Sequence, residues 1–415
     1  MLESGVPLHD TLCLLYMKTL GIIAEYNPFH NGHKYHMETA RHLSNADACM
    51  VVMSGDFTQR GEPAVSDKWQ RAEQAVRYGA NLVVELPFIF ACNRAPVFAR
   101  GGVDILVKAG VGCISFGCEC SEPELLRNTA SALLAEEGTI AERTGEIMKE
   151  GCSHAAAHQE AVREILGKDA AETIRTPNNI LGVEYLKRME FWRNRGIDIE
   201  DILVPRKGAG YFGIENLGER GFAGASEIRR LLAEGKSVSA YVPGIIEAEN
   251  REKIDKEMLV ILKGIVLRST SRELQEIYSV GEGIENRIIK EIRQIQDYGE
   301  LVDRLVSRRY TASTVRRILT YIVLGLAGQQ ADRLLEGDPE GARLLAADAK
   351  GREIIRNSDP DRIAFVPNLN KMPEKLRWTR EVLELDAKAA DFYNLLCGRN
   401  LYVESDYVRR PAIVM

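Results

Sequence analysis

The chain has 415 residues, long enough for two or three domains with fully buried cores. Hydrophobic residues make up 45% and charged residues 27%, a globular balance, and no apolar run reaches the roughly 18 to 20 residues of a membrane span, so no membrane partner is expected. The net charge of −6 excludes a generally basic coat, although a local patch still decides phosphate binding.

Residues 1–16 read as an N-terminal extension. Their apolar stretch, 11–16, is short and no small-residue cleavage site follows it, so no signal peptide is expected. The pattern restarts at Met17, which reads as a natural start. Apolar strands are predicted over 20–24, 48–53, 82–85, 112–116 and 199–204. Helix-period segments at 32–44, 67–78, 96–109 and 122–136 alternate with them. That alternation predicts βαβ units and an α/β domain over 17–242, its parallel sheet covered on both faces. The character changes near Val242-Pro243-Gly244. Beyond it, helical periodicity at 256–267, 285–295 and 313–326, with little strand pattern, predicts a mostly α-helical domain over 243–415.

Eight cysteines are scattered along the chain, and the tightest group, Cys113, Cys118 and Cys120, matches no common zinc spacing. Reduced thiols, several buried as small hydrophobes, are the expectation, and with them a cytoplasmic setting.

The informative segment runs Gly21-Ile22-Ile23-Ala24-Glu25-Tyr26-Asn27-Pro28-Phe29-His30-Asn31-Gly32-His33-Lys34-Tyr35-His36. A strand running into Asn27-Pro28 and a helix starting near Gly32 put His30 and His33 in the turn and first helical residues. Free backbone N–H groups and the positive helix end attract phosphate there. Two imidazoles three residues apart can both face that phosphate and donate to charge developing on it. Gly32 between them lets the backbone approach the nucleotide closely. The chain has only seven histidines, yet His30, His33, His36 and His42 fall within thirteen positions, which weighs against incidental surface or core histidines. His36, one turn on from His33, is placed to support it. No carboxylate or thiolate is spaced to complete a local ligand set, so no metal site is expected.

His30-Asn31-Gly32-His33 at the end of the first strand is similar to the HxGH signature of the nucleotidylyltransferase superfamily. Ala225-Ser226-Glu227-Ile228-Arg229-Arg230 is similar to its second mark. Longer phrases are more specific. Glu25-Tyr26-Asn27-Pro28-Phe29-His30-Asn31-Gly32-His33, Ser54-Gly55-Asp56-Phe57-Thr58-Gln59-Arg60-Gly61-Glu62-Pro63, Phe116-Gly117-Cys118-Glu119 and Pro177-Asn178-Asn179-Ile180-Leu181-Gly182 together resemble the tRNA(Met) cytidine acetate ligase family. The resemblance extends from Met17 through the helical region. It implies a Rossmann-like nucleotidyltransferase domain that uses ATP to activate acetate as acetyl-adenylate and then acetylates N4 of the wobble cytidine of elongator tRNA(Met). It implies catalytic roles for His30 and His33, ATP contacts from Ile23 through His36, and ATP contacts from Gly117 and Asn178. By the same resemblance Ser226 and Arg229 hold the β- and γ-phosphates as pyrophosphate leaves, with Mg²⁺ carried by the nucleotide.

Elementary chemistry supports several of these positions. Ligands of open α/β sheets sit beyond strand carboxyl ends, where Gly117 follows the fourth strand. Arg206, just after the fifth, supplies a cation that can neutralise the triphosphate. One of Asn178 and Asn179 is expected to cap its helix. Gln59, Arg60, Glu62, Lys68 and Arg71 are candidates for the acetate pocket or for tRNA, against an equal reading as a solvated loop and helix face. No acid occurs between Arg304 and Ala331. Arg308, Arg309, Arg316 and Arg317 in that stretch, with Tyr310 nearby, are expected to meet tRNA. Rival readings are a small-molecule adenylyltransferase, which would leave the helical region superfluous, and a nucleotide-sensing RNA-binding protein. A class I aminoacyl-tRNA synthetase is a third, for which Lys371-Met372-Pro373-Glu374-Lys375 is a poor match to the second signature.

Overall fold

A computed structural model describes residues 17–119, 123–205, 221–374 and 376–415. Residues 1–16, Arg206 and Cys120, all singled out above, lie outside the described residues. Five parallel strands form where the alternation predicts them: β1 (Thr19–Ala24), β2 (Ala48–Ser54), β3 (Leu82–Leu86), β4 (Cys113–Cys118) and β5 (Glu200–Pro205). Their order is β5-β4-β1-β2-β3. The chain therefore moves outward from β1 in one direction through β2 and β3, then returns to the other side of β1 for β4 and β5. The crevice between the carboxyl ends of β1 and β4 is the topological switch point, the usual ligand site of such a sheet.

Alternate residues of β2 show why the sheet is covered twice. Met50 and Val52 enter one apolar cluster with Leu106 and Ile114, while Cys49, Val51 and Met53 enter another with Leu20, Ile22 and Met37. A strand buried on both faces needs apolar residues at every position, and all seven residues of β2 are buried. The β4–β5 crossover is far longer than a single helix. It carries Pro123–Ala135, Glu137–Met148, His154–Leu166, Lys168–Thr173 and Pro177–Arg193. The last packs on Ala95–Lys108, where the buried Asp104 carboxylate accepts from Arg188 at 2.6 and 2.7 Å and from the Trp192 indole at 2.7 Å.

The part beyond residue 242 is mostly helical, as expected, but it also carries three short strands. β6 (Gly341–Ala347), β7 (Ala364–Val366) and β8 (Ala412–Ile413) extend the same sheet, with β6 antiparallel to β3 and parallel to β7 and β8. β6 reads Gly-Ala-Arg-Leu-Leu-Ala-Ala, a composition without β-branched residues that local propensity does not assign to a strand. Pairing with the open edge of β3 imposes it, and all seven residues are buried. The remainder of 243–415 is helical, including Arg251–Arg268, Ala312–Leu324 and Arg377–Cys397.

An ionic knot ties this C-terminal part to the strand ends. Lys68, wholly buried, donates to both Glu85 oxygens at 2.8 Å and to Asp406 at 2.5 Å. Neighbouring Asp56 accepts from the Lys68 backbone N–H at 2.8 Å. Burial alone would neutralise such carboxylates, and the Lys68 charge opposes that pressure on Glu85 and Asp56. Lys68→Met should cost about 3–5 kcal/mol, since it leaves buried carboxylates unpaired. Denaturant unfolding at pH 8 checks this; a loss under about 1 kcal/mol would mean the knot is replaceable by apolar packing.

Candidate active site at the β1–β4 switch point

The turn after β1 is built to aim two imidazoles. In the four residues after β1, 25–28, Tyr26 takes a left-handed conformation (φ 46°) and the Asn27–Pro28 bond is cis. His30 then caps the helix Asn31–Ser44: its Nδ1 accepts from the Gly32 N–H at 3.0 Å. His33 Nδ1 accepts in return from the His30 N–H at 3.3 Å. This is a capping box made of two histidines. Because Nδ1 is the acceptor in both rings, the hydrogen bonds assign the proton of each neutral imidazole to Nε2. The rings stack at 3.7 Å between centroids, 23° from parallel. His30 is only 3% exposed, and Tyr26 braces the His33 ring at 4.8 Å. A Cβ on Gly32 would come within 2.9 Å of the His30 ring, so glycine there is required by the cap itself, in addition to any approach of a ligand.

The second motif is carried to the first. Asn31 donates from its side chain to the carbonyls of Gly221 (3.0 Å) and Ala240 (2.9 Å), and its N–H donates to the Tyr241 carbonyl (2.9 Å). Those bonds bracket the helix Ala225–Ala233 and hold it beside the histidine turn. From that helix Arg229 donates to the Asn27 carbonyl at 2.7 Å and to the Ser226 hydroxyl at 3.3 Å, with Ser226 exposed in the first turn. Glu25 takes the Gln59 N–H at 2.7 Å. Burial pushes the Glu25 carboxyl above the usual carboxylate range, opposed by that N–H and by the charges of Arg229, Arg60 and Arg71.

On the other side of the crevice Gly117 lies within β4, half-buried. Asn178 and Asn179 open the helix Pro177–Arg193, but its cap residue is Thr176, so neither asparagine caps it. They hold Glu119 instead: Asn179 Oδ1 accepts its N–H at 2.8 Å, and the Asn178 amide donates to its carboxylate. His36 contacts the Ser115 hydroxyl at 3.0 Å, and Ser115 donates to the Ile202 carbonyl, so His36 joins the first helix to β4 and β5. Lys34 faces Glu38 at 3.7 Å, and Tyr35 packs edge-on against Phe222 at 6.0 Å.

Two of the loop candidates belong to the frame. Arg71 is buried and donates to the carbonyls of Glu25, Ser54, Gly55 and Ser66, tying the ends of β1 and β2. Lys68 is in the ionic knot. Neither reaches solvent, so neither can receive acetate or tRNA directly. Of the arginine stretch, Arg308 and Arg309 are exposed, with Glu282 beside Arg309 at 3.0 Å. Arg316 pairs with Glu62 at 3.3 Å, and Arg317 donates to the Gln59 carbonyl at 3.2 Å. Sequence reasoning missed Asn31 as the docking residue, Ser115 under His36, and the clasp formed by Arg316 and Arg317. The run Asn31-Gly32 inside the motif was a signal for the first; the others are long-range contacts with no local pattern. Cys113 and Cys118 are buried and form no disulfide. The described residues include no group of three His, Cys, Asp or Glu able to hold a metal, and no described helix is long and apolar enough to cross a membrane.

A parallel sheet whose switch point receives a stacked HxGH pair and a Ser-x-x-Arg helix defines a nucleotidyltransferase of the HIGH type. Consistent with this, the family described as HIGH Nucleotidyl Transferase matches residues 17–406. The tRNA(Met) cytidine acetate ligase of Syntrophotalea carbinolica is 36% identical over 399 residues, 92% of this chain and 94% of that protein. The enzyme of the same name from Bacillus subtilis is 33% identical over 403 residues, 94% and 95% of the two chains. Among solved structures, apo Thermotoga maritima TmcAL superposes with a TM-score of 0.83 at 29% identity, covering 96% of this chain and all of that one. The same protein bound with alpha-thio ATP gives 0.82. The chain belongs to the tRNA(Met) cytidine acetate ligase family.

Asn31→Ala should release the 221–241 segment while leaving the sheet intact. Two buried side-chain bonds at about 1 kcal/mol each are lost, so amide hydrogen exchange should quicken in 221–241 and not in β1–β4. Unchanged protection of that segment would show that other contacts hold it.

Proposed function

We propose that the chain is an ATP-dependent ligase that activates acetate as acetyl-adenylate and acetylates N4 of the wobble cytidine of elongator tRNA(Met). The observation that carries this reading is the meeting of His30 and His33 with Ser226 and Arg229 at the β1–β4 crevice, in a chain related over nearly its whole length to enzymes of that name. In the first step an acetate oxygen attacks the α-phosphorus of ATP in line with departing pyrophosphate. The Nε2–H groups of His30 and His33 donate to the growing phosphoryl charge, and Arg229, Ser226 and Arg206 neutralise the leaving group. Ile23 through His36, Gly117 and Asn178 surround the nucleotide, and Mg²⁺ arrives with it. In the second step the cytidine amine attacks the acetyl carbonyl and AMP leaves, with no covalent acyl-enzyme. Residues 17–242 carry the chemistry and 243–415 the main RNA surface, a functional division that the shared sheet crosses. Six described cysteines outside any disulfide support a cytoplasmic setting.

Nucleoside analysis of tRNA incubated with protein, ATP and labelled acetate should place the label on cytidine. A label absent from cytidine would sink the ligase reading and leave the nucleotide site standing. His30→Asn should separate capping from chemistry, because asparagine is a good cap. Acetate-dependent ATP–pyrophosphate exchange should fall with a loss of about 2–4 kcal/mol of transition-state stabilisation. Near-wild-type exchange would remove His30 from the mechanism.

Arg308 and Arg309, the exposed pair of the stretch, are proposed to meet tRNA phosphates. Glutamine at both should weaken tRNA binding and reduce the salt slope by about two. Identical slopes for wild type and variant would move the RNA surface elsewhere.

A further inference from the structure

The loop 58–62 after β2 sits between the histidine turn and the C-terminal helix Ala312–Leu324. Within the loop, Thr58 N–H donates to the Glu62 carbonyl and Gly61 N–H to the Thr58 carbonyl, both at 2.9 Å, which closes the loop on itself. Toward β1, the Gln59 N–H donates to Glu25 at 2.7 Å. Toward the helix, Arg317 donates to the Gln59 carbonyl at 3.2 Å, and the buried Thr320 hydroxyl donates to the Gly61 carbonyl at 3.0 Å. Arg316 and Glu62 close the contact at 3.3 Å, and Thr314 steadies the Arg317 guanidinium at 3.2 Å. Gly61 adopts φ +74°, and a Cβ there would stand 2.4 Å from the Arg317 backbone nitrogen. Loop and helix are therefore in direct backbone contact.

We propose that Arg317 and Thr320 are positioning residues for acid activation: the helix Ala312–Leu324 sets the 58–62 loop, and the loop sets Glu25 and presents Arg60 at the mouth of the adenylylation site. The inference rests on the acetate-activating reading above. An incoming carboxylate must approach a triphosphate from the side opposite pyrophosphate, a path that needs cations. The charges that reach Glu25 are those of Arg229, Arg60 and Arg71, and of these Arg60 is exposed and belongs to the loop. A loop displaced by about 1 Å would misplace Arg60 and the Glu25 carboxylate together, and displacements of that size cost up to about 100-fold in rate.

The test omits tRNA, because an arginine that served only RNA would be silent there. Acetate-dependent ATP–pyrophosphate exchange is measured for wild type, Arg317→Met, Arg317→Lys and Thr320→Val, alongside ATP affinity by calorimetry and melting temperature. Arg317→Met and Thr320→Val should raise the KM for acetate about 10-fold or more, with ATP affinity within about threefold of wild type. Arg317→Lys, which keeps a donor, should recover part of the loss. Wild-type exchange in both Arg317→Met and Thr320→Val would overturn the proposal. So would a parallel loss of ATP affinity and melting temperature, which would mark a merely structural contact. A wild-type protein whose exchange ignored acetate would instead overturn the ligase reading, and this inference with it.

Discussion

The first helix starts at the crevice between β1 and β4, and the groups that cap its N-terminus are the same imidazoles proposed for the chemistry. An uncapped helix end leaves donors unsatisfied, and serine, threonine or aspartate would ordinarily fill the role. Here two histidines do it reciprocally through Nδ1, so satisfying the backbone also fixes the tautomer and aim of both Nε2 atoms. Preorganisation of this kind costs nothing at the moment of reaction, because the rings are already held by bonds the fold needs anyway.

Several other residues at the crevice secure that turn. Asn31, the residue between the two histidines that faces the other way, carries the 221–241 segment to it. Arg229 bonds the carbonyl of Asn27, so the cation proposed for pyrophosphate is registered to the backbone of the first motif rather than to a flexible neighbour. Val65 N–H donates to Asn27 Oδ1 and Arg71 to the Glu25 carbonyl, which ties the β2 loop to the same four residues. The two sequence motifs, some two hundred residues apart, are thus parts of one hydrogen-bonded unit.

The α/β order and the positions of five parallel strands were legible because buried parallel strands are short continuous apolar runs between amphipathic helices. The histidine turn was legible because its motif and its local structure coincide in one short segment. The β6 strand was not, since Ala-Leu-rich sequence takes its conformation from the β3 edge it covers. Lys68 and Arg71 read as a solvated helix face because charged side chains are usually exposed. Only the tertiary structure reveals the carboxylates and carbonyls that make their burial tolerable. The same holds for Arg316 and Arg317, whose partners Glu62 and Gln59 lie more than two hundred and fifty positions away.

These long-range contacts also determine how the protein can be dissected. A cut near residue 242 would remove β6 and leave Leu82, Val83 and Val84 of β3 at an open edge. It would also take away Asp406, one of the carboxylates paired with Lys68, and Arg343, which donates to the Asp406 carbonyl. The helix that clasps the 58–62 loop would go too. Loss of activity in such a fragment would therefore report unfolding as much as function. The adenylylation proposed for 17–242 and the RNA binding proposed for 243–415 are to be probed by single side chains and not by cutting the chain, because the sheet of the first part draws edge strands from the second.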